Sequence, residues 1–229
     1  HVDLGVDFLK IASQDLNHPL FIKYIAEKNM PTILSTGLGS LGEIENAVDC
    51  FRPKYLDNLI LLHCISLYPP KEDCVHLNQM NTLKTIFNLP VGYSDHTLGF
   101  SIPLAAVAMG AVVIEKHFTL DKNMPGWDHY VSATPDEMKI ICNESKRIIK
   151  SLGKNYHKLP EKEEKKKESF RRSVITKRNI KKEEIIKEAD LDFKRPGTGI
   201  RPDEVKYILG RKVNKNIDED ELIKWEDLY

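Results

Sequence analysis

Short runs of apolar residues punctuate the first 150 or so positions, and each run ends in a polar cluster. The runs fall at 7–12, 31–34, 58–64, 89–92 and 111–114. The stretch 58–64 (Asn-Leu-Ile-Leu-Leu-His-Cys) is apolar without alternation, as a strand covered on both faces should be. Between the runs, 19–28, about 40–51, 78–87 and 102–109 read as helices. In the first, Leu20, Ile22, Tyr24 and Ile25 are expected to share a face. Ser40 with Glu43 forms a capping box, and Thr134 with Pro135 opens a long helix to about Leu152.

Strand, helix, strand at intervals of about 22–31 residues is the rhythm of βα units with parallel strands. Five such units fill about the first 120 residues, and a (β/α)₈ barrel needs eight in about 250. The chain begins His1-Val2-Asp3 without an initiator methionine. We therefore expect roughly 80 further residues, and units one to three of a TIM barrel, ahead of His1. An open doubly wound sheet is the alternative. It places ligands at one switch point, whereas here all five strand ends carry polar groups.

The pattern changes after 152. The stretch 153–169 is a charged linker, read as solvated helix or tether. Beyond it, 170–229 has the short strands and Pro/Gly turns of a small second domain. Strands are expected at 173–176 and 191–194, a turn with a short helix at 180–184, a helix at 202–208, and a last strand pair from 210. About 60 residues is near the lower limit for an independent core, so docking is expected.

Composition narrows the function classes only modestly. Lys+Arg and Asp+Glu each total 34, so no global charge favours nucleic acid or a membrane surface. No apolar run reaches the roughly 18 residues of a membrane span. Cys50, Cys64, Cys74 and Cys142 lack CxxC spacing, which fits a reduced, cytoplasmic protein.

The candidate chemistry lies at the strand ends. His96 and His117 follow adjacent strands about 4.8 Å apart, close enough to share a divalent metal with Asp95, Glu115 and Asp128 nearby. The ligand set suits manganese, magnesium or zinc without choosing among them. Ser13, Ser35, Ser66 and Ser94 follow four successive strands. Each alone is an ordinary helix cap; together with Lys10 they form a plausible cradle for phosphate and carboxylate oxygens. Arg195, fixed before Pro196-Gly197, is either surface charge or a rigid finger over an anionic or carbonyl-bearing substrate.

Seven segments then carry a resemblance. They are Phe8-Leu9-Lys10-Ile11-Ala12-Ser13, Ile33-Leu34-Ser35-Thr36-Gly37, Leu62-His63-Cys64 with Tyr68-Pro69, Gly92-Tyr93-Ser94-Asp95-His96-Thr97, Ile114-Glu115-Lys116-His117-Phe118-Thr119, Pro125-Gly126 with Asp128, and Lys194-Arg195-Pro196-Gly197-Thr198-Gly199. In this order the chain resembles the sialic acid synthases, including those of legionaminic and pseudaminic acids. The resemblance implies barrel units four to eight over 1–152, the linker, and an antifreeze-like (SAF) domain over 170–229. It implies a domain-swapped homodimer that condenses phosphoenolpyruvate with an N-acetylmannosamine-type sugar and releases phosphate. By the same resemblance His96 and His117 hold Mn2+ or Mg2+. Lys10, Ser13, Ser35, Ser66, Ser94 and Asp128 meet phosphoenolpyruvate. Glu115 and Asp15 are acidic groups near the reacting sugar, and Arg195 reaches that sugar's N-acyl group in the partner's barrel. Asp15 stands where a glutamate is common and Ser66 where some members have asparagine, which leaves the sugar open. The competing readings are a non-catalytic carbohydrate-binding or dimerising module and another phosphoenolpyruvate-dependent sugar-acid synthase.

Overall fold

The computed structural model describes residues 5–52, 54–154 and 156–229. The expected opening segment 1–4 and position 155 of the linker lie outside them. The chain divides into two compact units that meet at Lys154.

The first unit is a five-stranded parallel sheet, β1 (Leu9–Ile11), β2 (Thr32–Ser35), β3 (Leu59–Cys64), β4 (Val91–Asp95) and β5 (Ile114–Lys116), in simple sequential order. Helices α1 (Pro19–Ala26), α2 (Leu41–Asp49), α3 (Gln79–Phe87) and α4 (Ser101–Ala108) make the crossovers, and α5 (Pro135–Leu152) closes the unit. Sequential parallel order with a helix after each strand gives a half-barrel sheet. Side chains alternate across it, as the two-residue strand period requires. Ile11, Leu34, Leu61 and Tyr93 point to the helices and join the main core with Val48, Phe51, Met80, Leu83 and Phe87. Lys10, Ser35, Cys64, Ser94 and Glu115 point the other way.

The expected capping box at Ser40 forms, and the expected Thr134 cap is a full capping box as well. Ser40 and Thr134 each accept from the backbone N–H three residues on, and Glu43 and Glu137 return the bond to the cap's own N–H. Two expectations need correction. Leu20 and Tyr24 do not join the buried face of α1. They are exposed, and Ile22 and Ala26, one turn apart, take that place with Phe21 and Ile25 at the flanks. A sheet accepts only one stripe of a helix, and the opposite stripe leaves the Tyr24 ring to the Lys28 ammonium, 4.0 Å away. The last two strands also lie later than 89–92 and 111–114. α4 holds on through an Ala111 N–H bond to the Ala106 carbonyl, and Gly110 turns with φ +97. Ladder bonding therefore starts at Val112, whose N–H reaches the Val91 carbonyl. Ser94, Asp95, Glu115 and Lys116 thus lie inside strands rather than beyond them.

In the second unit the charged stretch is an exposed helix, α6 (Glu161–Phe170), continuing one residue past the expected linker boundary. β6 (Ser173–Thr176) and β7 (Leu191–Lys194) pair antiparallel. The rest is held by isolated bridges, such as Ile180 with Ile217 and Val213 with Leu228, around a core of Val174, Ile180, Ile186, Ile208, Val213 and Ile223. No helix forms at 180–184. That segment is a turn in which Glu183 has φ +70, and the 3-10 turn comes later, at Glu188–Asp190. The expected last strand pair from 210 is reduced to single bridges at Lys212 and Val213. Among the described residues no helix is long and apolar enough to cross a membrane.

Candidate active site

The inward face of the sheet, at the carboxyl ends of its strands, lines a cleft of about 570 Å³. Lys10 of β1, Ser13 and Gln14 after it, Ser35 at the end of β2, Cys64 and Ser66 at β3, Ser94 and His96 at β4, and Glu115 and His117 at β5 all contribute. Two-residue alternation selects the strand members, and parallel register puts Cys64, Ser94 and Glu115 side by side in one row.

Glu115 is held from two sides. Ser94 Oγ donates to its Oε1 at 2.7 Å, and Lys10 Nζ lies 3.4 Å from its Oε2. Lys10 therefore faces the cleft. Ser13 is pinned by the Gly37 N–H, which donates to its Oγ at 3.1 Å. A Cβ at Gly37 would lie 2.5 Å from Ser66 Oγ and 2.7 Å from Ser13 Oγ, so the two hydroxyls crowd where a side chain would be. Ser35 is 2% exposed, and its hydroxyl has no hydrogen-bond partner among the described residues. A buried hydroxyl left unmet in a cleft with a lysine and three other serines is a donor waiting for an acceptor.

The two imidazole rings lie with centroids 5.3 Å apart, and the Tyr68 ring packs on His96 at 4.0 Å and on His117 at 5.6 Å. His96 Nδ1 meets the Ile65 carbonyl at 2.8 Å. That carbonyl can only accept, so Nδ1 carries the proton and Nε2 keeps its lone pair, the arrangement of a metal-binding histidine with its outer partner. Burial works against an imidazolium at His96, but the Cys64 thiol and the Ile65 carbonyl outweigh it and raise its pKa. Burial likewise opposes ionisation of Cys64, and His96, Ser13 and Ser94 together lower that thiol. Tyr68 is raised by burial and by the charges of Cys64, Asp128 and Glu115. No group of three or more His, Cys, Asp or Glu residues that could hold a metal occurs among the described residues. The donor set fits a divalent ion only if its other positions go to substrate oxygens or water, as at an open catalytic site.

Two of the expected acidic residues do not line the cleft. Asp15 sits in the 3-10 turn Ser13–Asp15, where its neighbour Gln14 takes the cleft side. Asp128 is exposed on the loop after β5 and acts on the cleft only through its charge at Tyr68. Tyr68, Cys64, Gln14 and Leu38 line the cleft without having been singled out as site residues. For Cys64, the alternation from Leu62 was a usable signal.

Arg195 belongs to the second unit. Its guanidinium lies 5.4 Å from the centre of the Phe170 ring at the end of α6. The loop is pinned by Gly197 N–H to the Glu168 carbonyl at 2.7 Å and by Ser173 Oγ to the Pro196 carbonyl at 2.7 Å. A Cβ on Gly197 would be 2.7 Å from the Lys167 carbonyl oxygen, so only glycine lets the loop approach α6 this closely.

Residues 2–157 match the model of the NeuB family, and residues 171–228 match the SAF domain. The chain is 45% identical over 224 residues to an N,N'-diacetyllegionaminic acid synthase of Campylobacter jejuni, covering 97% of this chain and 67% of that one. It is 41% identical over 231 residues to the enzyme of the same name from Legionella pneumophila, covering 99% and 65%. The crystal structure of an N-acetylneuraminic acid synthetase from Leptospira borgpetersenii, in complex with citrate, superposes with a TM-score of 0.67 at 41% identity, covering 72% of this chain and 57% of that one. The chain thus spans about two thirds of the length of the curated relatives it matches. It belongs to the NeuB family and carries a SAF domain.

Proposed function

We propose that this NeuB-family chain is the carboxyl-terminal part of a nonulosonic acid synthase, which condenses phosphoenolpyruvate with an N-acylated mannosamine-type sugar and releases phosphate. The five-strand sheet would be one arc of an eight-unit barrel. The observation that carries the reading is the unmet Ser35 hydroxyl beside Lys10, Ser13, Ser66 and Ser94. Aligned hydroxyl donors and one ammonium are what a phosphate and a carboxylate require.

In this reading Lys10, Ser13, Ser35 and Ser66 hold phosphoenolpyruvate with its C3 facing the sugar's aldehyde carbon, Ser94 borders it with its one O–H given to Glu115, and C3 forms the new C–C bond as the aldehyde C=O opens. Water then adds at the oxocarbenium C2, its proton passing by way of Glu115 to the former aldehyde oxygen, and the tetrahedral centre gives up its hydroxyl proton and expels phosphate, leaving a ketone at C2. Glu115 suits that role because Ser94 and Lys10 fix both its oxygens without burying it, so it can accept a proton and return it. His96 and His117 would hold a divalent ion, manganese or magnesium, which supplies Lewis acidity at the aldehyde oxygen. Holding both reactants in one cleft accounts for much of the gain by proximity.

Arg195, stiffened by α6 and by Ser173, would contact the sugar's N-acyl oxygen from a second copy of the chain. What supports this is exposed apolar side chains after the strand ends: Leu38 lines the cleft, and Leu98, Phe118 and Trp127 follow β4 and β5, Trp127 exposed by 94%. The names of the two curated relatives favour a diacetamido acceptor. A cytoplasmic, homodimeric enzyme is the corresponding cellular form.

The test is phosphate release from phosphoenolpyruvate by the full-length protein, in the presence of manganese, with N-acetylmannosamine, its 6-phosphate and 2,4-diacetamido-6-deoxy hexoses. Release with one sugar, abolished by a chelator and by His96→Ala, is expected. A folded, metal-loaded protein that releases phosphate with none of them refutes the reading, and sugar binding by 170–229 without turnover would then favour a binding module.

A further inference from the structure

On the helix side of the sheet, directly behind the two histidines, Asp95 and Lys116 form an ion pair at 2.6 Å, with side chains 0% and 2% exposed. The pair is one part of a larger arrangement. Asp95 Oδ1 accepts from the Thr97 N–H at 2.9 Å and from Thr97 Oγ1 at 2.8 Å, closing a tight turn with His96 at its apex. Lys116 Nζ donates to Asp95 Oδ2 and also to the Thr97 carbonyl at 2.6 Å. One ammonium from β5 therefore grips both ends of the turn that carries His96. The next residue after that lysine is His117.

Burying an ion pair this completely is a poor route to stability, because desolvation cancels most of the attraction. It does fix geometry. Both Asp95 carboxylate oxygens and two of the ammonium's three hydrogens are matched, so the strand ends cannot slide relative to one another without stranding a charge. We propose that Lys116, Asp95 and Thr97 are positioning residues that set the spacing and aim of His96 and His117. Lys116 borders the cleft, but its side chain is buried in the tie rather than offered to a reactant. The inference rests on the reading of those histidines as metal ligands given above.

The experiment compares Lys116→Met, the paired change Asp95→Asn with Lys116→Met, and His96→Ala in the purified protein. Manganese binding is read from the electron paramagnetic resonance signal of the free aquo ion. Imidazole nitrogen shifts are read by NMR in metal-free protein, and folding by thermal melting. The paired change leaves no stranded charge and still lets position 95 accept from Thr97, so it is expected to fold. Both lysine variants should weaken manganese binding at least tenfold and move the His96 and His117 imidazole signals. KM for phosphoenolpyruvate should stay within about twofold while kcat falls. Unchanged manganese affinity and unchanged imidazole shifts in the paired variant overturn the inference. If His96→Ala leaves manganese binding intact, the ligand reading fails instead, and the imidazole shifts of the metal-free protein still decide whether the tie positions the rings. Should Lys116→Met alone fail to fold, the paired variant and Thr97→Val carry the test. Thr97→Val loses one donor and should weaken binding about threefold; no change there also counts against the tie.

Discussion

Gly37→Ala isolates the anion cradle with a single methyl group. The φ of Gly37 lies outside the left-handed region, so alanine meets no backbone penalty there. What it meets is Ser66 Oγ at 2.5 Å, Ser13 Oγ at 2.7 Å and Cys64 Sγ at 3.1 Å. Hydroxyls can rotate away, so the packing cost falls near the low end of small-to-large changes, about 1 kcal/mol. The rotation would take both serines out of line with the anion proposed to bind there. A hydrogen bond to a charged group contributes about 1.5 kcal/mol at the low end, so losing two removes roughly 3 kcal/mol of binding. At about 1.4 kcal/mol per tenfold, the dissociation constant for phosphoenolpyruvate should rise roughly 100-fold. Titration calorimetry with phosphoenolpyruvate, beside a thermal melt, separates the two effects: a small loss of melting temperature and a large loss of affinity. An affinity within threefold of the parent, in a variant that melts normally, would show that Ser13 and Ser66 do not hold the anion.

Other expected outcomes follow from single features. Gly42→Ala, in α2 with nothing within 4 Å of the added methyl, should raise stability by about 0.5–1 kcal/mol in denaturant titration. Thr134→Ala removes the cap of α5 and should cost about 1 kcal/mol; a unit of this size should then melt about 2–4 °C lower. Burial lowers the pKa of His63, whose Nε2 meets the Val75 carbonyl at 2.7 Å. The folded state therefore favours the neutral ring, and its contribution is complete above the unfolded value of about 6.5 and lost as pH falls below it toward the folded value. His63→Gln, which donates to the same carbonyl without titrating, should flatten that part of the stability profile; an unchanged slope would exclude His63 as its source.

The five βα units, the Ser40 capping box, the Thr134 cap and strands β6 and β7 were legible because they rest on local signals: apolar runs, side-chain caps and turn residues. Ser13, Ser35, Ser66, Ser94, Lys10, His96, Glu115 and His117 were legible as cleft residues for the same reason, each standing in a short strand or just after one. What was not legible depends on packing. Nothing local distinguishes Leu20 from Ile22, and only the sheet decides which stripe of α1 is covered. Asp15 and Gln14 are adjacent in one 3-10 turn, and a rotation of about 120° per residue settles which faces the cleft. The Lys116 tie was hidden because its partners lie 19 and 21 residues away. The small unit coheres through isolated bridges between distant positions, and these leave no periodicity to read.

Because successive residues of β3, β4 and β5 face opposite ways, one short stretch of sequence answers to two separate selection pressures. In the proposed reading positions 64, 94 and 115, which line the cleft, answer to turnover, and buried positions 61, 63, 91 and 93 to the abundance of folded protein. A saturation scan scored for both should oscillate with a period of two residues, the two scores out of phase. Acceptor preference could then be re-evolved by varying alternate residues alone, while the intervening ones carry the fold unchanged from one substrate to the next.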